Sequence, residues 1–421
     1  MDQKIFHEAL SLYNATDRLP QVIRISIRLK KDIEPDSLRY AVDRCMERYP
    51  YFCVELAKKD GEWVLAENRR PVTVTGSRDG VTLGSDEANR HLMAFSYNGG
   101  WINFDIDHAI TDGTGAYEVV RTLLYYYCSR RYDAELSPAG IRLAGDVISP
   151  DEWEDPILKL KDVVPRDPAK VEPALRLAEE SGIEISDHHW SWDIAVDEKE
   201  FMRFNHENDG SPGVMTALFL SRAIERLHPA SRADLRILLA VNMRKALKAP
   251  LAHQALVGGV MLDYRPVMRS WPLTKQATAY RGMVFAQTRE EHVAAEAAGQ
   301  GELSAKILSF ETDRERREFA IMASEMTDSV LTAGVSYVGR ANIGDAERYV
   351  RDFRLHTNSI GITPLLEISA VGGRFIISFI QPFEDDRYVN AFLDELNDSY
   401  IAYDLLDAGR VWLPGVELPW K

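Results

Sequence analysis

The chain has 421 residues, of which 45% are hydrophobic and 27% are charged, so its composition is that of a folded globular protein. This length is about twice that of a typical single domain, which favours two domains or a fused double unit. The formal net charge of -15 disfavours binding to nucleic acid or anionic lipid, because both depend on Lys and Arg meeting phosphate.

The three cysteines, Cys45, Cys53 and Cys128, have neither the number nor the spacing of a disulfide framework. Each lies among apolar residues, which predicts small buried side chains in a reducing compartment. The amino terminus carries no apolar signal segment, and no run reaches the ~18 apolar residues of a membrane span. We therefore expect a cytoplasmic protein without a membrane span, and a monomer is compatible with these features.

The first half of the chain alternates strand and helix patterns. Val22–Leu29 alternates, which predicts a strand with its Ile and Leu side chains on one face. A helical repeat of apolar residues begins near Asp36, and Pro50 is expected to end that helix. The sequence Lys59-Asp-Gly61 then predicts a turn between two short strands.

A strand, an irregular loop and a helix follow one another in the next segment. Trp101–Asp107 alternates strictly, which predicts a strand that delivers His108 to its end. The loop His108-Ala-Ile-Thr-Asp112-Gly113 precedes a helix with a regular apolar stripe. A side chain at the end of a strand can project into a cleft, so His108 is a candidate general base.

The loop residues after His108 are expected to shape the loop. Asp112 precedes the helix, and we expect it to hold the loop through an ion pair with an Arg elsewhere. Gly113 is expected to permit a backbone conformation that is closed to other residues. The alternative interpretation is purely structural, since Asp-Gly is a common turn and Asp and Thr are common helix caps. The strand before the loop and the helix after it favour the functional interpretation.

Residues 132–186 are rich in Pro and acidic residues and show little periodicity. This composition predicts a long connection with one short helix near Val171–Glu180. We place the boundary between two lobes here, with residues 1–170 in the amino-terminal lobe and residues 171–421 in the carboxy-terminal lobe.

The second half restarts with a strand near Trp190–Val196, a helix over Val214–Leu227 and a strand over Leu235–Val241. A single helix is expected over Thr274–Ala297. Near the end, a second strand–loop–helix unit begins at Phe375, with the same layout as the unit that carries His108. The two halves are therefore interpreted as a divergent duplication in which only the first copy kept the His-x-x-x-Asp-Gly loop.

The loop His108-x-x-x-Asp112-Gly113 at a strand-to-helix junction resembles the signature of the chloramphenicol acetyltransferase-like superfamily. That superfamily includes nonribosomal-peptide condensation domains, plant BAHD acyltransferases and free-standing alcohol O-acetyltransferases. Further segments resemble it in the same order along the chain: Asp36–Asp43, Arg48–Pro50, Lys59–Gly61, Val241–Arg244, Gly258–Gly259 and Val335–Arg340. The resemblance implies an α/β fold with mixed sheets, in which two lobes form a pseudo-dimer around a central tunnel.

The resemblance also implies an activity, which is acyl transfer from a coenzyme A thioester to the hydroxyl or amine of a small, hydrophobic acceptor. His108 would act as the general base, without an acyl-enzyme intermediate, and acyl-CoA would be a co-substrate with no cofactor tightly bound. Asp107 stands where condensation domains carry a second His, which points away from peptide condensation. Tyr337 stands where alcohol acetyltransferases carry Asn, so the acceptor stays open.

Other residues are assigned by the same comparison of patterns. Arg244 is the expected ion-pair partner of Asp112, and Ser336 is the candidate donor to the oxyanion. Lys245 and Lys248 could meet the nucleotide end of coenzyme A, although a solvated helix start explains them equally well.

Two further charged segments are not expected to bind ligands. No metal site is expected at Asp187-His188-His189, because adjacent strand residues point to opposite faces. The run Arg314–Arg317 alternates with acidic residues and is expected to form a solvated helix face.

Two alternatives to coenzyme A-dependent transfer stay open. The acyl group could arrive on the phosphopantetheine of a carrier protein, although the acidic composition disfavours docking to an acidic carrier. The chain could also be a catalytically silent module that kept the tunnel as a ligand pocket.

Overall fold

The structure is a computed structural model that describes residues 3–160, 162–165, 171–359, 361 and 363–421. Its strands are β1 (Gln3–Lys4), β2 (Val22–Leu29), β3 (Val54–Lys59), β4 (Glu62–Glu67), β5 (Val74–Thr75), β6 (Met93–Asn98), β7 (Trp101–Asp107), β8 (His189–Asp197), β9 (Leu235–Asn242), β10 (Val257–Tyr264), β11 (Ala333–Arg340), β12 (Val350–His356), β13 (Leu365–Val371), β14 (Arg374–Gln381) and β15 (Tyr403–Val411). The predicted lobe boundary at residue 170 lies outside the described residues.

The α-helices are α1 (Ala9–Asn14), α2 (Pro35–Arg48), α3 (Gly113–Tyr132), α4 (Leu177–Ser181), α5 (Glu198–Glu207), α6 (Pro212–Leu227), α7 (Leu273–Gln287), α8 (Glu290–Leu308), α9 (Asp313–Ser329) and α10 (Arg387–Asp398). Short 3-10 helices cover Pro50–Phe52, Pro150–Glu152, Pro156–Lys159, Pro266–Ser270 and Gly344–Tyr349. In the part of the chain that the structure describes, no helix is both long enough and apolar enough to cross a membrane.

The described strands form two large sheets and one small sheet. The first large sheet has the order β12-β2-β7-β6-β5, the second has the order β10-β9-β11-β13-β14-β8-β15, and the small sheet has the order β1-β4-β3. The first sheet includes β12, which comes from the second half of the chain and pairs antiparallel with β2. The sheet of the first lobe is therefore completed by β12, which lies far beyond the connection over residues 132–186.

The two large sheets share a four-strand arrangement. β12-β2-β7-β6 in the first sheet corresponds to β15-β8-β14-β13 in the second, and neighbouring strands are antiparallel in both. In the first lobe, β2 is followed by α2 and β7 by α3. In the second lobe, β8 is followed by α5 and β14 by α10. This correspondence is what a duplication of one ancestral unit would leave, and the predicted α/β fold with mixed sheets is confirmed.

Each large sheet packs on its own apolar core. The core of the first lobe joins β2, β7 and α3 through residues such as Ile25, Phe104 and Val120, all of them fully buried. The core of the second lobe joins α6 to β14 through Phe219 and Ile377. The cavity described below lies where the edges of these two cores meet.

The helix predicted over Thr274–Ala297 is in fact two helices, α7 and α8. Thr288 ends α7, and Arg289 has the extended backbone conformation of a residue that precedes a helix. Glu290 and Glu291 occupy the first turn of α8, where carboxylates favour the positive end of the helix dipole. This acidic pair is typical of a helix start, and the sequence analysis did not use it to divide the predicted helix.

The run Arg314–Arg317 was expected to be solvated, and this prediction is wrong for Arg316. Arg316 is buried, because α9 packs against α1, and its guanidinium donates to the Phe310 carbonyl and to the Tyr13 hydroxyl. Arg314 is exposed, as expected.

Candidate active site

His108 follows β7 directly and lies in the loop before α3. Its backbone N–H donates to the carbonyl oxygen of Gln21 at 2.7 Å, which ties the loop to the residue before β2. The Asp107 carboxylate accepts from the Ala109 N–H at 2.8 Å and closes the turn. The half-buried His108 side chain lines a cavity of about 960 Å³, and its imidazole makes no hydrogen bond to another described residue. The imidazole is therefore available to a ligand.

Asp112 is 1% exposed and every part of its carboxylate is engaged. Oδ1 accepts from the backbone N–H groups of Thr114 and Gly115 at 2.9 and 3.1 Å, so Asp112 caps α3. Arg244 donates to both carboxylate oxygens, at 2.8 and 2.9 Å, and the Leu256 N–H donates to Oδ2 at 3.0 Å. A carboxylate that accepts five hydrogen bonds is a structural anchor rather than a proton carrier.

Arg244 joins the two lobes at this point. It follows β9 of the second lobe, whereas Asp112 belongs to the first. Its Nε donates to the Ala252 carbonyl and its Nη2 to the Gln254 carbonyl, both at 2.6 Å. The planar guanidinium is thus fixed on both sides, and the bidentate pair holds the loop of His108 against the second lobe.

Gly113 was expected to supply a special backbone conformation, and the structure contradicts this. Its φ angle is not positive, and it is the first residue of α3. The reason for Gly at this position is space, since a Cβ here would lie 2.5 Å from Val338 Cγ2. Gly115 is more constrained, because a Cβ there would lie 2.1 Å from Thr111 Oγ1 and 2.4 Å from the His253 carbonyl oxygen.

A second buried network crosses between the lobes beside the first. The Thr111 hydroxyl donates to the His253 carbonyl at 2.6 Å, and His253 Nδ1 lies 2.5 Å from the Tyr51 hydroxyl. Tyr51 and Arg48 both donate to the Glu152 carboxylate. Burial lowers the pKa of His253 to about 3, so this imidazole is neutral and structural. The sequence patterns included Arg48 and Thr111 but did not predict that these residues would meet His253 and Glu152.

Ser336, the predicted oxyanion donor, lines the same cavity as His108. It lies on β11, opposite Glu367 of β13 in the parallel register. Glu367 also lines the cavity, is 4% exposed, and accepts from the Thr357 hydroxyl at 3.0 Å. Burial raises the pKa of Glu367, and hydrogen bonding by Ser336 and Thr357 opposes that shift. Sequence reasoning missed Glu367, for which the only signal was one acidic residue in an apolar strand.

The cationic groups of the cavity differ from those expected. Lys245 and Lys248 are exposed and do not line it, and Lys248 instead pairs with Glu290 at 2.9 Å. Arg18 and Arg176 do line it. Two guanidinium nitrogens of Arg18, Nε and Nη2, are buried without a hydrogen-bond partner among the described residues.

The remaining histidines near the centre of the molecule have separate surroundings. His189 is buried, with Nε2 2.8 Å from the Ser359 hydroxyl, whereas Arg410 donates to Nδ1 of the exposed His188. His7, which sequence reasoning missed, lies within electrostatic reach of His108, and burial lowers its pKa.

No family model matches the chain, and no curated protein matches it in sequence. Solved structures nevertheless resemble it along nearly its whole length. Polyketide synthase associated protein 5 from Mycobacterium tuberculosis has a TM-score of 0.62 at 16% identity, covering 94% of this chain and 97% of its own. F. sporotrichioides TRI101 complexed with coenzyme A and T-2 has a TM-score of 0.58 at 12% identity, covering 97% and 99%.

The epimerization domain from the third module of tyrocidine synthetase B has a TM-score of 0.58 at 11% identity, covering 95% of this chain and 96% of its own. At such identities the likeness concerns the fold. The chain therefore has the same two-lobed fold as these three proteins.

Proposed function

We propose that this protein transfers an acyl group from a coenzyme A thioester to the hydroxyl or amine of a small acceptor. One observation carries the proposal: His108 faces a cavity between the lobes, on a loop that Asp112 and Arg244 clamp in place. A neighbour in fold, TRI101, was solved with coenzyme A bound, which supports this choice of donor.

In the proposed reaction, the neutral imidazole of His108 accepts the proton of the acceptor as its oxygen or nitrogen attacks the thioester carbonyl. The tetrahedral intermediate then collapses, the carbon–sulfur bond breaks, and the imidazolium returns the proton to the departing thiolate. General-base catalysis of this kind contributes ~10²–10⁴-fold to the rate. Asp112 takes no part in proton transfer, because all of its lone pairs are engaged.

Transfer without an acyl-cysteine intermediate agrees with the positions of the cysteines in the described part of the chain. None of the three cysteines lines the cavity. Burial raises the pKa of Cys53 and Cys128 to about 12 and raises that of Cys45 well above its ordinary value, so these thiols stay protonated.

The oxyanion needs a hydrogen-bond donor, and Ser336 is our candidate because it lines the cavity with His108. The Ser336 hydroxyl also hydrogen-bonds the Glu367 carboxyl. Donation to an oxyanion therefore requires the hydroxyl to rotate away from Glu367.

A carrier-bound acyl donor is the second candidate, since condensation and epimerization domains are among the neighbours in fold. The lysines expected to meet the nucleotide end of coenzyme A, Lys245 and Lys248, lie outside the cavity. A donor held only by its pantetheine arm would not need them. The net charge of -15 counts against an acidic carrier and keeps free coenzyme A as our first choice.

The proposal is tested by thiol release from acetyl-CoA, octanoyl-CoA and the matching acyl-pantetheines, each offered with alcohols and amines. We expect His108→Ala to fold normally and to react about a hundredfold or more slower. The matched control is His206→Ala, which removes an exposed imidazole on α5. Turnover of acyl-pantetheine at the rate of acyl-CoA would favour a carrier donor. Near-normal turnover by His108→Ala would exclude general-base catalysis by this residue.

A further inference from the structure

The cavity contains a buried carboxyl group that the proposed chemistry does not use. Glu367 lies on β13, 4% exposed, among the residues that line the cavity. Its Oε1 accepts from the Thr357 hydroxyl, but its Oε2 has no hydrogen-bond partner of normal geometry among the described residues. Buried polar atoms are nearly always paired, so an unpaired oxygen on a carboxyl group that lines a cavity indicates room for a further hydrogen-bond donor.

The charge of Glu367 is not compensated by the protein. No Lys or Arg in the described ranges forms an ion pair with it, and His356, whose charge acts on Glu367, donates its hydrogen bond to Asp193 instead. A buried carboxylate without a partner is unfavourable for the empty protein, and burial accordingly raises the pKa of Glu367. A ligand that donates a hydrogen bond to this carboxyl would reduce this penalty.

Glu367 and His108 line the same cavity and make no hydrogen bond to each other. On one side, Thr357 follows β12, which pairs with β2, and the carbonyl of Gln21 before β2 holds His108. On the other side, Ser336 is opposite Glu367 and precedes by two residues Val338, which packs on the motif loop. Because both groups line one cavity of about 960 Å³, a single small molecule can contact both.

We propose that Glu367 is the acceptor-recognition group of this site, and that it binds an O–H or N–H group of the acceptor distinct from the nucleophile. The acceptor class is then a diol, polyol or amino alcohol, which is more polar than the small, hydrophobic alcohol or amine expected from the sequence. Ser336 and Thr357 hydrogen-bond the carboxyl and hold it in the wall of the cavity. The role of this ligand as an acyl acceptor rests on the proposed acyl transfer. The binding itself can be measured without turnover.

The test compares acceptors of three to eight carbons that carry one terminal hydroxyl and, at the other end, a methyl, hydroxyl or ammonium group. Binding is measured by ligand-observed NMR without an acyl donor. We expect wild type to bind the diol or amino alcohol at least tenfold more tightly than its methyl partner. The larger preference, for hydroxyl or for ammonium, identifies the group that Glu367 receives.

Glu367→Gln has nearly the same shape and removes the charge, so it is expected to fold and to lose most of this preference. The matched control is Glu325→Gln, which removes an exposed carboxylate that also lines the cavity, and it should keep the preference. In His108→Ala the preference should be unchanged, which separates this inference from the proposed catalysis. The inference is overturned if wild type shows no preference at any chain length, or if Glu367→Gln retains it.

Discussion

At the residue scale, the side chains of the motif loop differ in how fully their hydrogen-bonding capacity is used. The His108 imidazole makes no hydrogen bond to another described residue, whereas Asp112 accepts five. A base must exchange a proton with a ligand, and an anchor must not move. The unbonded imidazole of His108 therefore suits a base, and the fully bonded carboxylate of Asp112 suits an anchor.

We predict that Asp112→Ala destabilises the fold by about 3–5 kcal/mol, because it leaves the buried Arg244 guanidinium without its partner and removes a helix cap. Asp112→Asn keeps the cap and the shape but loses the charge, so it should cost less. Urea unfolding of both variants measures the difference. An Asp112→Ala protein with wild-type stability and activity would contradict the anchoring role.

Asp107 predicts a pH effect on stability. Burial raises the pKa of Asp107 to about 7, above the ~3.9 of an unfolded Asp, so the folded state binds this proton more tightly. The contribution of Asp107 to the free energy of unfolding is therefore greatest below pH ~4 and is lost as the pH rises through about 7.

Asp107→Asn keeps an oxygen that can accept from Ala109 and removes the titration. Its stability relative to wild type should rise between pH 4 and pH 7, by at most about 4 kcal/mol. Urea unfolding at several pH values measures this, with Asp32→Asn on the surface as the control for a lost charge. A constant difference across this range would contradict the assignment.

At the element scale, the start of α3 is defined by close approach rather than by unusual backbone angles. Gly113 packs on Val338, a side chain that can shift, whereas Gly115 packs on the carbonyl of His253, which is backbone and cannot. Sequence reasoning recognised a glycine requirement at Gly113 and gave it the wrong physical cause. It did not recognise Gly115, because the sequence of a helix does not show which distant residue packs against one of its glycines.

The two glycines therefore predict substitutions of unequal cost. We expect Gly115→Ala to destabilise the protein by several kcal/mol and to displace the loop of His108, because overpacking here separates the lobes. Gly113→Ala should cost about 1–3 kcal/mol, with Val338 moving into the cavity. Melting temperatures and acceptor binding distinguish these outcomes, and equal effects of the two substitutions would refute the steric explanation.

The elements that were predictable from the sequence are those whose periodicity reflects one buried face. β2, β7 and α3 were placed within a residue or two for that reason. β12 was missed because its pattern includes Asp352 and Arg354, whose charges are buried together in an ion pair. A pairing of that kind depends on distant segments, since Arg354 also contacts Asp193 of β8. Glu367 was missed because a single acidic residue in an apolar strand gives no sign of the cavity that it lines.

At the scale of the whole molecule, the lobes are interlocked rather than placed side by side. β12 comes from the second half of the chain and completes the first sheet, while Arg354 on this strand pairs with Asp193 of the second sheet. The carboxy-terminal residues Val416 and Leu418 return to the core of the first lobe. These connections join the lobes in addition to the ion pair between Asp112 and Arg244.

This interlocking predicts that the two lobes unfold together. Phe353 of β12 is 1% exposed in the core of the first lobe, and Phe353→Ala should destabilise the protein by about 3–5 kcal/mol. Hydrogen exchange under native conditions should show the same loss of protection in β6 and β7 as in β13 and β14, because all four open in one cooperative event. The reciprocal variant is Phe379→Ala, in the core of the second lobe, which should lower protection in β6 and β7 equally. If each substitution reduced protection only in its own lobe, the lobes would be independent units and the shared strand would not couple them.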